Sequence, residues 1–272
     1  MGISKQKLSD FKKTIWDYYK KNKRDLPWRG TTDPYKIVVS EVMLQQTQVA
    51  RVVQKYAEFI KVFPTFNSLA VASKEEVLRL WQGMGYNRRA LYLKALSTIV
   101  IDDHKGRLPN EPNILMKLPA IGSATAGSIA AFAFNKPTVF LETNIRRVFL
   151  HFFFQGKKQV SDKDILPLVE KTLDKGRARE WYWALMDYGT LLVKTVQNPN
   201  RNSKHYVRQS PFSGSDREIR GAILKLVLSK GRVHRKDLSD SLSYENKKIT
   251  FILNVLVKEG FLVKNSQIYT VQ

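Results

Sequence analysis

Residues 115–148, LMKLPAIGSATAGSIAAFAFNKPTVFLETNIRRV, limit what this chain folds into more than any other stretch. A helix leads into the tight turn Leu118-Pro119-Ala120-Ile121-Gly122. A second helix leaves it, and the small residues Ala124, Ala126, Gly127, Ala130 and Ala131 let that helix pack close. Beyond Lys136-Pro137 a third helix opens at Leu141-Glu142-Thr143-Asn144. A turn feeding a helix offers backbone N–H groups to a phosphate. Glu142 follows Gly122 by twenty residues and puts a carboxylate at a helix N-terminus. Together these parts describe a device that grips a DNA strand and sets one acid beside a sugar.

Charge points the same way. The chain carries 46 Lys/Arg against 24 Asp/Glu, a net +22. That excess argues for a polyanionic partner. Residues 201–272 hold 14 Lys/Arg against 6 Asp/Glu, so the basicity is shared along the chain. Phosphate contacts from both parts predict a steep salt dependence of binding. No run of about eighteen apolar residues occurs, so no membrane span is expected. The N-terminal MGISKQKLSDFKK lacks an apolar signal segment. The expected compartment is the cytoplasm, in association with the nucleoid. The sequence contains no cysteine. Disulfides, cysteine-ligated zinc and cysteine-held iron–sulfur clusters are thereby excluded.

Around the central stretch the chain reads as helices. Leu8, Phe11, Ile15, Trp16 and Tyr19 recur at helical spacing over 5–23. After Leu26-Pro27-Trp28-Arg29, Asp33 caps a helix with Pro34 at its first position. That helix is almost continuously apolar through Val42, Met43 and Leu44, and Glu41 interrupts it. A carboxylate there needs a partner, a cavity or a function. Residues 49–80 supply two or three scaffold helices, one with a Ser73–Glu76 capping box. The turn Trp81-Gln82-Gly83-Met84-Gly85-Tyr86-Asn87-Arg88-Arg89 then opens a basic helix ended by Gly106, and its glycines allow a close approach to DNA. The helix beginning at Glu142 places Ile145, Val148, Phe149, Phe152 and Phe153 on an apolar face and Arg146 and Arg147 on the polar one. Two more helices follow over 161–175 and 177–195.

The strings SEVMLQQTQV, PWR-x3-DPY and LPAIGSATAGSIAAFAF resemble the MutY-type adenine glycosylases of the helix-hairpin-helix, endonuclease III-like superfamily. The resemblance covers roughly residues 5–200. It implies a mainly α, two-lobed DNA glycosylase fold over 1–198, with Glu41 as the acid at the purine. Glu142 stands where the family has Asp, one methylene longer. It further implies DNA contacts by Arg29, Gln46, Tyr86, Asn87, Arg88, Pro119, Ile121, Gly122 and Ser123. Trp28 and Asn144 would line the substrate pocket, Asn144 matching the asparagine of an LDGN motif. Relatives usually carry a four-cysteine cluster loop, which here reads Val193-Lys194-Thr195-Val196-Gln197-Asn198-Pro199-Asn200. The cluster is lost, and something else must tie that loop down. Carbonyls of the hairpin 118–122 are a possible monovalent-cation site, and no other cofactor is expected. Bifunctional relatives place a lysine at the position of Ala124, so a monofunctional enzyme without AP-lyase activity is expected.

A polar, basic linker is expected over 199–214, then a winged-helix-like α+β domain over 215–272. Its three helices would fall at 216–229, 235–242 and 244–259, with a two-strand ribbon at 261–263 and 268–271. Lys247 and Lys248 would then lie on the helix that reads a groove. The partner is double-stranded DNA with a mismatched or damaged base, engaged by a monomer. Cutting an N-glycosidic bond needs a proton for the leaving base and a carboxylate for the sugar cation. Burial should raise the pKa of Glu41 and the helix N-terminus should favour ionised Glu142. The leading expectation is removal of adenine opposite guanine or 8-oxoguanine. The alternatives are a uracil/thymine mismatch (G:U, G:T) glycosylase on the same scaffold, or a DNA-binding protein whose catalysis has weakened.

Overall fold

The computed structural model describes residues 3–208 and 211–271. In chain order the helices are α1 (Lys5–Asn22), α2 (Pro34–Leu44), α3 (Val49–Val62), α4 (Phe66–Val71), α5 (Lys74–Trp81), α6 (Arg88–Asp102), α7 (Pro112–Leu115), α8 (Ser123–Phe134), α9 (Thr143–Phe153), α10 (Asp162–Thr172) and α11 (Ala178–Thr195). The C-terminal part adds α12 (Asp216–Lys230), β1 (Arg232–His234), α13 (Arg235–Ser241), α14 (Asn246–Lys258), β2 (Leu262–Asn265) and β3 (Ile268–Val271). Short 3-10 turns occupy Pro27–Arg29 and Pro199–Asn202. Among the described residues no helix is long and apolar enough to cross a membrane.

The chain forms two compact units. The first holds the N-terminal stretch up to Glu41 together with Pro109–Arg208. Its core is aromatic because α1, α9 and α11 turn their apolar stripes inward. Phe11 meets Phe149 at 5.3 Å, Phe152 at 5.1 Å and Trp181 at 6.0 Å between ring centres. The small residues of α8 act as the sequence implies, for a Cβ at Gly127 would lie 2.6 Å from the Cβ of Phe140. On α11 a Cβ at Gly189 would lie 2.6 Å from the Asn144 carbonyl oxygen, so α9 rests directly on that backbone.

An ion cluster anchors the same unit. Asp187, almost fully buried, accepts from Arg24 Nε at 2.5 Å and from Arg29 through Nη1 at 2.8 Å and Nη2 at 2.7 Å. The stretch after α11 is held by hydrogen bonds. Val160 donates to the Asn202 carbonyl and accepts from Lys204, both at 2.9 Å, in a parallel bridge. Asn200 is buried and its amide donates to the Thr143 carbonyl at 3.1 Å. The first residues of the expected linker are therefore packed into this unit; residues 209–210 lie outside the described ones.

The second unit joins Val42–Leu108 to the C-terminal part. Ser73 and Glu76 form the expected capping box at α5. Arg89 is buried and ties the end of α2 to the glycine turn. It donates to the Val42 carbonyl at 2.8 Å, Met43 at 3.0 Å and Gly85 at 3.1 Å. Burial pulls its pKa down to about 10, which leaves it cationic at neutral pH. In the C-terminal part α12 and α14 pack on a sheet of order β1-β3-β2. The sheet has three strands where the sequence suggests two. Arg232-Val233-His234 is too short to show an alternation, and pairing with β3 (Val233 opposite Tyr269) makes it a strand.

Candidate active site

Glu41 lies near the end of α2 and keeps part of its side chain open, although its carboxyl is desolvated. Ser128 of α8, itself buried, donates its hydroxyl to Glu41 Oε2 at 2.5 Å. The same hydroxyl lies 3.0 Å from the Thr125 carbonyl. Ser128 thus matches either state of the acid. It donates to the ionised carboxylate, or it accepts from the protonated one and turns its own proton to Thr125. Burial pushes the Glu41 pKa up to about 7, against the Ser128 hydrogen bond, and the negative charge of Glu142 adds to the rise. The two glutamates, both in the first unit, are thus near enough for their charges to interact.

Glu142 is the N-cap of α9. Its Oε1 accepts from the Ile145 amide at 2.8 Å and its Oε2 from the Asn144 side chain at 3.2 Å. Asn144 is oriented in turn by Arg147, which donates to Asn144 Oδ1 at 2.6 Å and to the Gly189 carbonyl at 2.9 Å. Two expectations need correction. Arg147 is not on a solvated face; it is buried, because Asn144 and the Gly189 backbone leave a polar slot that only a long donor reaches. The Glu142 pKa is also raised, because desolvation outweighs its backbone donors and the Arg147 and Arg146 charges. The two carboxyls are therefore pushed in the same direction by burial. They differ in their company: amides and guanidinium charges favour ionised Glu142, whereas Glu41 has one hydroxyl and a neighbouring negative charge.

The hairpin turn has the expected form. Ile121 donates back to the Leu118 carbonyl at 3.2 Å, and the first α8 bond runs from Ala126 to Gly122 at 2.8 Å. Gly122 and Ser123 are exposed at the helix start, Pro119 and Ala124 are half-buried, and Ile121 packs inward. Ala120 takes the left-handed conformation at φ 64°.

Other predicted residues sort into distinct places. Trp28 is buried, and Arg29 commits its guanidinium to Asp187 in the first unit. Gln46, Tyr86, Asn87 and Arg88 line one cavity of the second unit. Gln46 and Tyr86 are both left-handed, at φ 54° and 46°. Lys247 and Lys248 are exposed on α14 and lie away from that cavity. Ser128, Asp187 and Arg217 carry no role in the expectations from sequence, and Arg147 appears there only on a polar face. Ser128 left one trace, a hydroxyl inside the otherwise small and apolar GSIAAFAF.

Among the described residues no group of three His, Cys, Asp or Glu side chains is arranged to hold a metal ion. The chemistry of the site is that of two buried carboxyls, both pushed toward their protonated forms and differing in the donors around them.

Comparison with known proteins agrees with this geometry. The family model for the HhH-GPD superfamily base excision DNA repair protein matches residues 39–173. The adenine DNA glycosylase of Mycobacterium tuberculosis (strain CDC 1551 / Oshkosh) is 32% identical over 241 residues, 81% of this chain and 78% of that protein. The thymine/uracil-DNA glycosylase of Methanothermobacter thermautotrophicus is 29% identical over 190 residues, 69% of this chain and 86% of that protein. A solved thermostable thymine-DNA glycosylase superposes with a TM-score of 0.64 at 27% identity, over 71% of this chain and 91% of that one. A helix-hairpin-helix fold, a chain-wide likeness to adenine glycosylases and two coupled carboxyls together place this chain in the helix-hairpin-helix base-excision repair superfamily, as a DNA glycosylase of the MutY-type family.

Proposed function

We propose that this protein removes adenine mispaired with guanine or 8-oxoguanine and leaves an abasic site. The observation that carries the reading is a Glu41 carboxyl poised near neutral pH inside the SEVMLQQT string. Adenine leaves as a poor anion unless a ring nitrogen is protonated, and a carboxylic acid with a pKa near 7 supplies that proton in physiological buffer. Glu142, solvated by the Ile145 amide and Asn144, stabilises the cation that develops at the sugar. The hairpin amides at Gly122 and Ser123 hold a phosphate of the extruded nucleotide. Unstacking costs least at a mismatch, which favours the mispaired target. A monovalent cation on the carbonyls of 118–122 would brace that turn.

Ala124 stands where a lyase lysine would be, so no Schiff base forms there and the backbone stays intact. We take the enzyme to act as a monomer in the cytoplasm, on nucleoid DNA. The likeness to a thymine/uracil glycosylase supports one second reading, excision of uracil or thymine opposite guanine. A panel of single-mismatch duplexes separates the two. Adenine release, abolished by Glu41→Gln and followed by strand scission only after alkali, is the expected result. Release of uracil or thymine that survives Glu41→Gln would replace the adenine reading. Scission without alkali, or a borohydride-trapped covalent complex, would overturn the monofunctional assignment.

A further inference from the structure

Helix α14 of the second unit buries Ile249, Ile252, Leu253 and Leu256 and packs on α12, α13 and β2. Its other face carries Lys247, Phe251, Asn254 and Lys258, all exposed. Steps of four, three and four residues set these side chains in one stripe along the helix. Phe251 is 61% exposed, a ring left largely in water at the middle of the stripe. No Asp or Glu occurs within α14. Glu259, just beyond its end, is already bonded to Arg220 at 2.6 Å and to Arg88. The stripe is therefore cationic. It is also held firmly from behind. Arg235, which opens α13, donates to Thr250 Oγ1 at 2.6 Å and to the Asn246 carbonyl at 3.4 Å. The helices α13 and α14 are joined by the short turn 242–245, so the pair has helix-turn-helix form with its second helix facing outward.

We propose that this stripe docks α14 in the major groove of intact duplex DNA, with Lys247 and Lys258 on phosphates and Phe251 against a thymine methyl on the groove floor. Lys247 and Lys258 are eleven residues apart in the chain, about 16 Å of helical rise. That span suits phosphates on the two edges of a groove about 12 Å wide. Asn254, between them, faces the base edges, where an amide both donates and accepts. The sequence pairs Lys247 with Lys248, but chain neighbours on a helix point about 100° apart, and the stripe pairs Lys247 with Lys258 instead. A protein partner fits less well, because lysines are depleted from the cores of protein interfaces. This surface needs no mismatch and no extruded base. It gives the protein a hold on undamaged DNA whichever base it excises.

The test is fluorescence anisotropy of the full-length protein on a fully paired, undamaged duplex, repeated over a range of salt concentrations. Lys247→Ala/Lys258→Ala should weaken binding about tenfold and make the log–log salt slope shallower by about 2, roughly one for each phosphate contact. Phe251→Ala should also weaken binding about tenfold but keep the wild-type slope, because it removes an apolar contact and no charge. The three side chains are exposed, so circular dichroism melts should match wild type and separate docking from folding. Wild-type affinity and slope in both variants would overturn the proposal and point to a protein occupant for α14. A loss confined to the lysine pair would overturn groove docking, since bulk charge then accounts for it. The duplex holds no target base, so neither result bears on the adenine reading, which the mismatch panel decides.

Discussion

Ser128 sets its hydroxyl 2.5 Å from one oxygen of Glu41, on a helix otherwise made of small apolar residues. This one contact opposes the burial that raises the acid. Replacing Ser128 by Ala removes the donor, so the protonated form gains further ground. In the proposed reaction Glu41 works protonated, so wild-type single-turnover excision should fall as pH rises through about 7. In Ser128→Ala that limb should move to higher pH by roughly 0.5–1 unit, the worth of one hydrogen bond. An unmoved limb would show that the contact does not tune the acid.

Glu41 also weakens the fold above acid pH. Its folded pKa of about 7 lies above the ordinary glutamate value of 4.5, so between those values the folded state holds the proton more tightly. Stability then falls as pH rises from about 4.5 to 7 and is flat beyond. Glu41→Gln removes the effect. The variant should be inactive on adenine yet more stable at pH 8 by about 2–3 kcal/mol, with no gain near pH 4. Thermal melts across that range measure it.

Glu142→Gln separates charge from capping. The amide oxygen still accepts from the Ile145 amide, so the melting temperature should stay within a few degrees. Losing the carboxylate that the proposed reaction sets beside the sugar should lower the excision rate by at least about 100-fold. A rate near wild type would remove Glu142 from the chemistry.

Gly189 is a fulcrum for α9. A Cβ there would sit 2.6 Å from the Asn144 carbonyl oxygen and 2.7 Å from its Cβ. Gly189→Ala should cost about 1–3 kcal/mol and shift Asn144 away from Glu142. Excision should fall further than the stability loss explains, which single-turnover rates below the melting range will show.

Asn200 holds the stretch that stands in the cluster loop's place. Asn200→Ala removes the side-chain donor to the Thr143 carbonyl at the first residue of α9. A loss of about 1–3 kcal/mol is expected, seen as a lower melting temperature. Prolonged chelation of the wild-type protein should leave its melting curve unchanged.

Local sequence determined much of this molecule. The helices follow from 3.6-residue periodicity, the hairpin from LPAIG, and the α5 cap from Ser73 and Glu76, because each depends on neighbours within a few residues. The interrupted apolar run marked Glu41, and the helix start marked Glu142. Tertiary packing decided the rest. β1 exists because β3 pairs with it. Arg147 is buried because Gly189, forty-two residues away, lets α9 approach. The pKa of Glu142 rises because desolvation depends on what surrounds a carboxyl in space. Ser128 meets Glu41 across 87 residues of chain, and no spacing rule carries that distance.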